Sequence, residues 1–123
     1  MSVDLTATET VLERLVAFPT VSHLPNLEMI GHAAELLRNA GARVEVLTDA
    51  SGTKANLWAT LGPERDGGIV LSGHSDVVPV EGQDWTVPAF ALTERDDRLY
   101  GRGTCDMKGF IAAVLARLPA LKG

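Results

Sequence analysis

Leu71-Ser72-Gly73-His74-Ser75-Asp76-Val77-Val78-Pro79 is the stretch on which the reading of the fold turns. The apolar run leading into it, Ile69-Val70-Leu71, has the length and β-branched content of a short buried strand. Gly73 ends that run, and the chain then presents an imidazole and a carboxylate two residues apart. In extended backbone, residues i and i+2 project to the same side. His74 and Asp76 are therefore expected to face one site at the carboxyl end of a strand, where open α/β sheets hold their ligands.

On the amino-terminal side, Thr6-Ala7-Thr8-Glu9 has the spacing of a capping box. Val11, Leu12, Leu15, Val16 and Phe18 then recur at helical intervals, which predicts a helix over 6–18 stopped by Pro19. Residues 19–25 read as a loop. Asn26 is expected to cap a second helix over 27–40, with Ile30, Ala33, Ala34 and Leu37 as its apolar stripe and Gly41 as the left-handed residue behind it. Strands are predicted at 43–47 and 55–61, then the apolar strand at 68–71. Beyond Pro79 an irregular loop holds Trp85 and Phe90, read as a hydrophobic plug. A small hairpin joins 91–94 to 98–100 around Asp96-Asp97. A last helix is predicted over 107–118, with Phe110, Ile111, Val114, Leu115 and Leu118 on its apolar face and Pro119 at its end.

The bulk properties narrow the classes of function. A chain of 123 residues, 46% apolar, is one domain with enough material for a core. Its net charge of -5 and the absence of a Lys/Arg cluster argue against nucleic acid or an anionic membrane as partner. The lone Cys105 suits a reducing compartment. Met1 to Asp4 do not read as the start of a secretory leader, and no run approaches the ~18 apolar residues of a membrane span. The expectation is a soluble, cytoplasmic protein.

Three groups with metal-ligand chemistry meet if two loops share one rim: His74, Asp76 and Asp106, the last within Gly101-Arg102-Gly103-Thr104-Cys105-Asp106-Met107-Lys108-Gly109. Imidazole and carboxylate suit zinc and similar divalent ions. Asp76 is placed to accept a hydrogen bond from the second ring nitrogen of His74, and Asp106 to offer one oxygen to each of two cations. Taken singly these features have plainer readings. A His-x-Asp triplet is commonly a satisfied turn histidine, and an aspartate before a helix is commonly its cap. Gly101 and Gly103 suggest a dinucleotide loop, but Asp106 stands where the third glycine belongs and repels a pyrophosphate. Cys105 has no visible base beside it and reads as a packing residue. His23 reads as a loop residue and His32 as a helix-surface one.

Two motifs taken together, Gly73-His74-Ser75-Asp76-Val77-Val78-Pro79 and Leu99-Tyr100-Gly101-Arg102-Gly103-Thr104-Cys105-Asp106-Met107-Lys108-Gly109, resemble in order and spacing the di-zinc aminoacylase and carboxypeptidase family. The resemblance implies an α/β fold, a three-layer sheet with flanking helices, of which this is the amino-terminal part of a di-zinc exopeptidase-like catalytic domain. It implies that His74 binds one metal ion and Asp106 bridges two, either zinc or cobalt. Asp76 becomes the active-site residue that orients His74, and a cis peptide follows Asp106.

By the same resemblance the activity is removal of an acetyl group from an N-acyl amino acid, in arginine biosynthesis, with a succinylated substrate as the nearest alternative. The general base, the remaining ligands and a dimerisation domain are expected to lie beyond residue 123, so that the short chain is inactive alone and the full-length enzyme is a homodimer. The reading from another class is a non-catalytic metal-binding or interaction module.

Overall fold

The computed structural model describes residues 5–121; the reading made on Met1 to Asp4 lies outside them. The first two elements are helices, α1 (Leu5–Ala17) and α2 (Leu27–Asn39). Of the predicted stripes, Leu12, Leu15 and Val16 on α1 and Ile30, Ala33 and Ala34 on α2 are buried, while Val11 and Leu37 are half-buried, Phe18 lies beyond the end of α1, and Met29 joins the buried side of α2 unpredicted. Leu15 and Val16 are completely buried, each contributing about 1.5–3 kcal/mol relative to exposure. Gly41 has φ +90° and ends α2 as expected. The Gly41 and Ala42 N–H groups return to the carbonyls of Arg38 and Leu37, satisfying orphan acceptors of the last turn.

Strands β1 (Arg43–Thr48) and β2 (Ala55–Thr60) form an antiparallel hairpin, with Arg43 opposite Thr60 and Thr48 opposite Ala55. Helix α2 packs against both strands. A second hairpin joins β3 (Thr93–Arg95) to β4 (Arg98–Tyr100) through Asp96 and Asp97, both at positive φ. A wide turn, Thr104–Lys108, leads into α3 (Gly109–Ala116), which packs against α1, and a last short helix α4 spans Leu118–Leu121. Ala112, Leu115 and Leu118 close the core against Leu12, Leu15, Val16, Met29 and Ala33. The architecture is mixed α and β. No helix among the described residues is long and apolar enough to cross a membrane.

Several expectations are corrected. Residues 68–71 form no strand, and Ile69 is 88% exposed. An apolar run specifies a wish for burial, but a strand exists only where another segment takes up its N–H and C=O groups. Among the described residues nothing pairs with 69–71. His74 and Asp76 therefore follow an unpaired segment, not the end of a sheet strand. Asn26 does not cap α2 through its side chain. Its amide instead pairs twice with the Ala55 backbone, accepting from N–H at 2.9 Å and donating to the carbonyl at 3.0 Å. Thr6 lies inside α1, beyond the position a capping-box residue takes. The last helix begins at Gly109, because Asp106 and Met107 have non-helical backbone angles. Pro119 falls in the first turn of α4, where its missing N–H costs nothing. Cys105 is exposed and does not pack.

The β1–β2 turn is built on Asp49. Its carboxylate accepts from the Ser51 hydroxyl at 2.7 and 2.9 Å and from the Lys54 N–H at 3.3 Å. Ser51, first, and then the backbone N–H groups of Lys54, Thr53 and Gly52 hold this carboxyl below its ordinary 3.8, against the opposing effect of burial. A depressed carboxyl contributes stability above its unfolded pKa and loses it as pH falls through the folded value. Asp49→Asn is expected to melt below the parent chain at neutral pH and to converge with it as pH falls from about 5 to about 2. Thermal unfolding followed by circular dichroism across that range checks this, and a difference that persists at the acid end contradicts it.

Candidate functional site

The chain leaving α1 is the frame of the site. Residues 20–22 lie beside residues 75–77 as a one-rung parallel bridge between Val21 and Val77. The Val77 N–H donates to Thr20 O at 3.0 Å, and the Ser22 N–H donates to Val77 O at 3.0 Å. The buried Thr20 hydroxyl adds a 2.6 Å bond to Ser75 O. Asn26 reaches Ser75 Oγ at 3.2 Å. The ammonium of Lys54 donates to the Ser22 carbonyl. His74 and Asp76 flank Ser75, so these bonds fix the segment that presents them.

The second loop is fixed from below. Lys108 is fully buried, and its Nζ donates to Phe18 O at 2.6 Å. Its N–H closes the turn onto Gly103 O at 2.8 Å. Burial pushes this ammonium down to about 8. Gly103 sits at φ +88°, and a Cβ there would stand 2.6 Å from Val77 Cγ1 and 3.3 Å from Lys108 Cδ. Only glycine meets both demands. The peptide between Asp106 and Met107 is cis. Arg102 ties down the outer loop. Its guanidinium lies 5.0 Å from the centre of the Trp85 ring and donates to Gln83 Oε1, while its N–H donates to Ala89 O at 2.6 Å. Trp85 is thus half-buried under an arginine.

The two loops bring the predicted residues together. His74 Nε2 lies 2.9 Å from Asp106 Oδ1. On the other side of the ring, Nδ1 lies 3.0 Å from Asp76 O and 3.1 Å from Asp76 Oδ1. Each ring nitrogen therefore faces aspartate oxygen, Nδ1 that of Asp76 and Nε2 that of Asp106, and the ring is held between the two. The Asp106 carboxylate, first, and then Asp76 hold the imidazole above its ordinary 6.5, with burial opposing. The Ser22 hydroxyl donates to Asp76 Oδ2 and is the main cause holding that carboxyl below the usual range, with His74 adding to it. These side chains open on a cleft of about 290 Å³, also lined by Val78, Arg102 and Cys105.

This donor set fits part of a divalent-ion site. An imidazole nitrogen and a carboxylate oxygen converge, and the ring is oriented from behind by a second carboxylate, the arrangement that tunes metal-bound histidines. Among the described residues, however, no three His, Cys, Asp or Glu side chains are grouped to hold an ion, and zinc sites take about four ligands. His23 is an exposed loop residue, and His32 is half-buried, 5.7 Å from the Phe18 ring. Neither joins the site. Sequence reasoning missed Thr20, Ser22, Asn26 and Lys108. The first three stand in or beside a stretch without hydrophobic periodicity, and the signal they do carry is polar side chains set among prolines 19 and 25.

Residues 70–123 match the family described as Peptidase family M20/M25/M40. The chain is 45% identical over 120 residues to an acetylornithine deacetylase of Myxococcus xanthus, covering 94% of this chain and 31% of that protein. It is 43% identical over 108 residues to the acetylornithine deacetylase of Pasteurella multocida, covering 82% of this chain and 28% of that protein. Among solved structures, human carnosine dipeptidase 1 superposes with a TM-score of 0.79 at 30% identity, over 94% of this chain and 28% of that one. The chain spans less than a third of the length of each of these relatives.

The Lys108 stem fills the space between Gly103 and the end of α1. Lys108→Ala empties it and is expected to cost about 2–4 kcal/mol. Lys108→Met keeps the stem and removes one charged hydrogen bond together with one desolvated charge, so its cost is expected to stay under about 1.5 kcal/mol. Urea unfolding of the two variants checks the order; a methionine variant as damaged as the alanine one contradicts it.

Proposed function

We propose, from a chain whose residues 70–123 match Peptidase family M20/M25/M40, that it is the amino-terminal part of a metal-dependent amidohydrolase acting on N-acetylornithine. The observation that carries this reading is the convergence of His74 Nε2 and Asp106 Oδ1 at 2.9 Å from loops 32 residues apart. The identities of 45% and 43% to two acetylornithine deacetylases support the acetylated substrate over a succinylated one.

In this reading His74 is a ligand of one divalent ion, zinc or cobalt, and Asp106 is shared between two. When bound, such ions supply Lewis-acid activation of the amide carbonyl and of a water molecule. The rest of the work belongs to the chain itself. Asp76 holds the His74 ring with Nε2 facing the cleft. Arg102, packed on Trp85, lines the cleft and ties the outer loop to its rim. Gly103 lets the second loop approach Val77 closely enough to bring Asp106 to His74.

The remaining ligands, the general base, the rest of a three-layer sheet and a dimerisation domain are assigned to sequence outside these residues. The exposed Ile69, Val70 and Leu71 support that assignment, since an apolar run of this length is built for burial. A soluble, cytoplasmic enzyme of arginine biosynthesis follows from the proposed substrate.

The test is complementation. Alone, the 123-residue chain is expected to bind zinc weakly and to turn over no N-acetylornithine. A chimaera carrying it in place of the matching amino-terminal segment of the Myxococcus xanthus protein is expected to hydrolyse N-acetylornithine faster than its succinylated analogue. His74→Ala or Asp106→Ala in the chimaera is expected to lower turnover at least about 1,000-fold. A folded chimaera that is inactive, or one indifferent to both substitutions, overturns the proposal.

A further inference from the structure

The hydroxyl of Ser22 touches a group that the proposed chemistry uses and has no assigned part in it. Ser22 follows the bridge residue Val21, and its N–H is committed to Val77 O at 3.0 Å. The hydroxyl also lies 3.4 Å from Val77 O, a longer contact than the one it makes to Asp76. The hydroxyl donates to Asp76 Oδ2, while the other oxygen, Oδ1, lies 3.1 Å from His74 Nδ1. A carboxylate held at one oxygen by a fixed donor has lost the rotation that would swing the other oxygen away. The fixed donor is itself anchored: the Ser22 carbonyl receives the Lys54 ammonium, and the neighbouring Thr20 hydroxyl binds Ser75 O at 2.6 Å.

We propose that Ser22 is a positioning residue, whose hydroxyl locks the Asp76 carboxylate so that the His74 ring stays turned with Nδ1 toward Asp76 and Nε2 toward Asp106. The relay runs Ser22, Asp76, His74, Asp106, and joins three separate segments of the chain: residues 20–22, residues 74–76 and the turn that carries Asp106. It rests on the metal reading only for the purpose of the Nε2 lone pair; the ring's orientation stands without it. A hydroxyl at this place is required, and its size is not, because Ser22 is exposed.

Two measurements on the chain separate this role from a structural one. In the metal-free chain, χ1 couplings and ring-proton NOEs of His74 report whether the ring keeps one rotamer. The parent chain and Ser22→Thr are expected to hold a single rotamer with Nδ1 toward Asp76, and Ser22→Ala to populate others several-fold more. Cobalt(II) titration followed by its visible absorption is expected to weaken about 10-fold in Ser22→Ala and to be restored by Ser22→Thr. Amide spectra serve as the control, since the backbone bonds of residues 20–22 survive in both variants. An unchanged His74 rotamer distribution in a folded Ser22→Ala chain overturns the proposal, as does a threonine variant no better than the alanine one. If no variant binds cobalt, the metal reading fails, and the His74 rotamers alone still decide the role of Ser22.

Discussion

A buried ammonium on a main-chain carbonyl sets the geometry of this molecule. Lys108 is fully enclosed and its Nζ meets Phe18 O at 2.6 Å. An unpaired charge in such a place costs several kcal/mol, so the lysine holds its position only where that carbonyl is supplied. The bond joins the end of α1 to the turn that carries Asp106. Four residues further along the same segment, Ser22 touches Asp76. One short stretch after α1 is therefore common to both halves of the site, and neither half is placed by its own loop alone.

The site is a set of small constraints acting in series. Gly103 allows two backbones to approach where any side chain would collide with Val77. Thr20 and the Val21–Val77 bridge hold the first loop. Asp76 then fixes one face of the imidazole, and Asp106 meets the other at 2.9 Å. None of these contacts is strong by itself, at about 0.5–1.5 kcal/mol net for a neutral hydrogen bond. Their effect is directional: they remove rotations from two side chains whose donors must converge. This is the division of labour found where a ligand set is oriented by the residues behind it.

The apolar surface tells a parallel story. Val46, Leu47 and Trp58 on the first hairpin, and Ile69, Val70 and Leu71 beyond it, are all exposed. The core proper is built where α3 packs against α1 and α2, and it is closed by fully buried Leu15, Val16 and Ala112. The site hangs from this helical core through Phe18 and Thr20. The chain covers less than a third of its relatives' length.

How much of this was legible in the residues divides along one physical line. Local periodicity determined α1, α2 and both hairpins, because the burial of a helix stripe and the geometry of a turn are set by neighbours a few positions apart. Motif spacing named His74, Asp76 and Asp106, and the tertiary structure brought all three together. What spacing did not contain was the partner of each polar group. Asn26 has the chemistry of a cap and spends it on Ala55. Ile69-Val70-Leu71 has the composition of a strand and finds no segment to pair with. Lys108 and Ser22 look like surface residues and become the supports of the site. A side chain's hydrogen-bonding capacity is written in its type, but the acceptor it meets, here 90 residues away in the case of Lys108, exists only once the chain has closed on itself.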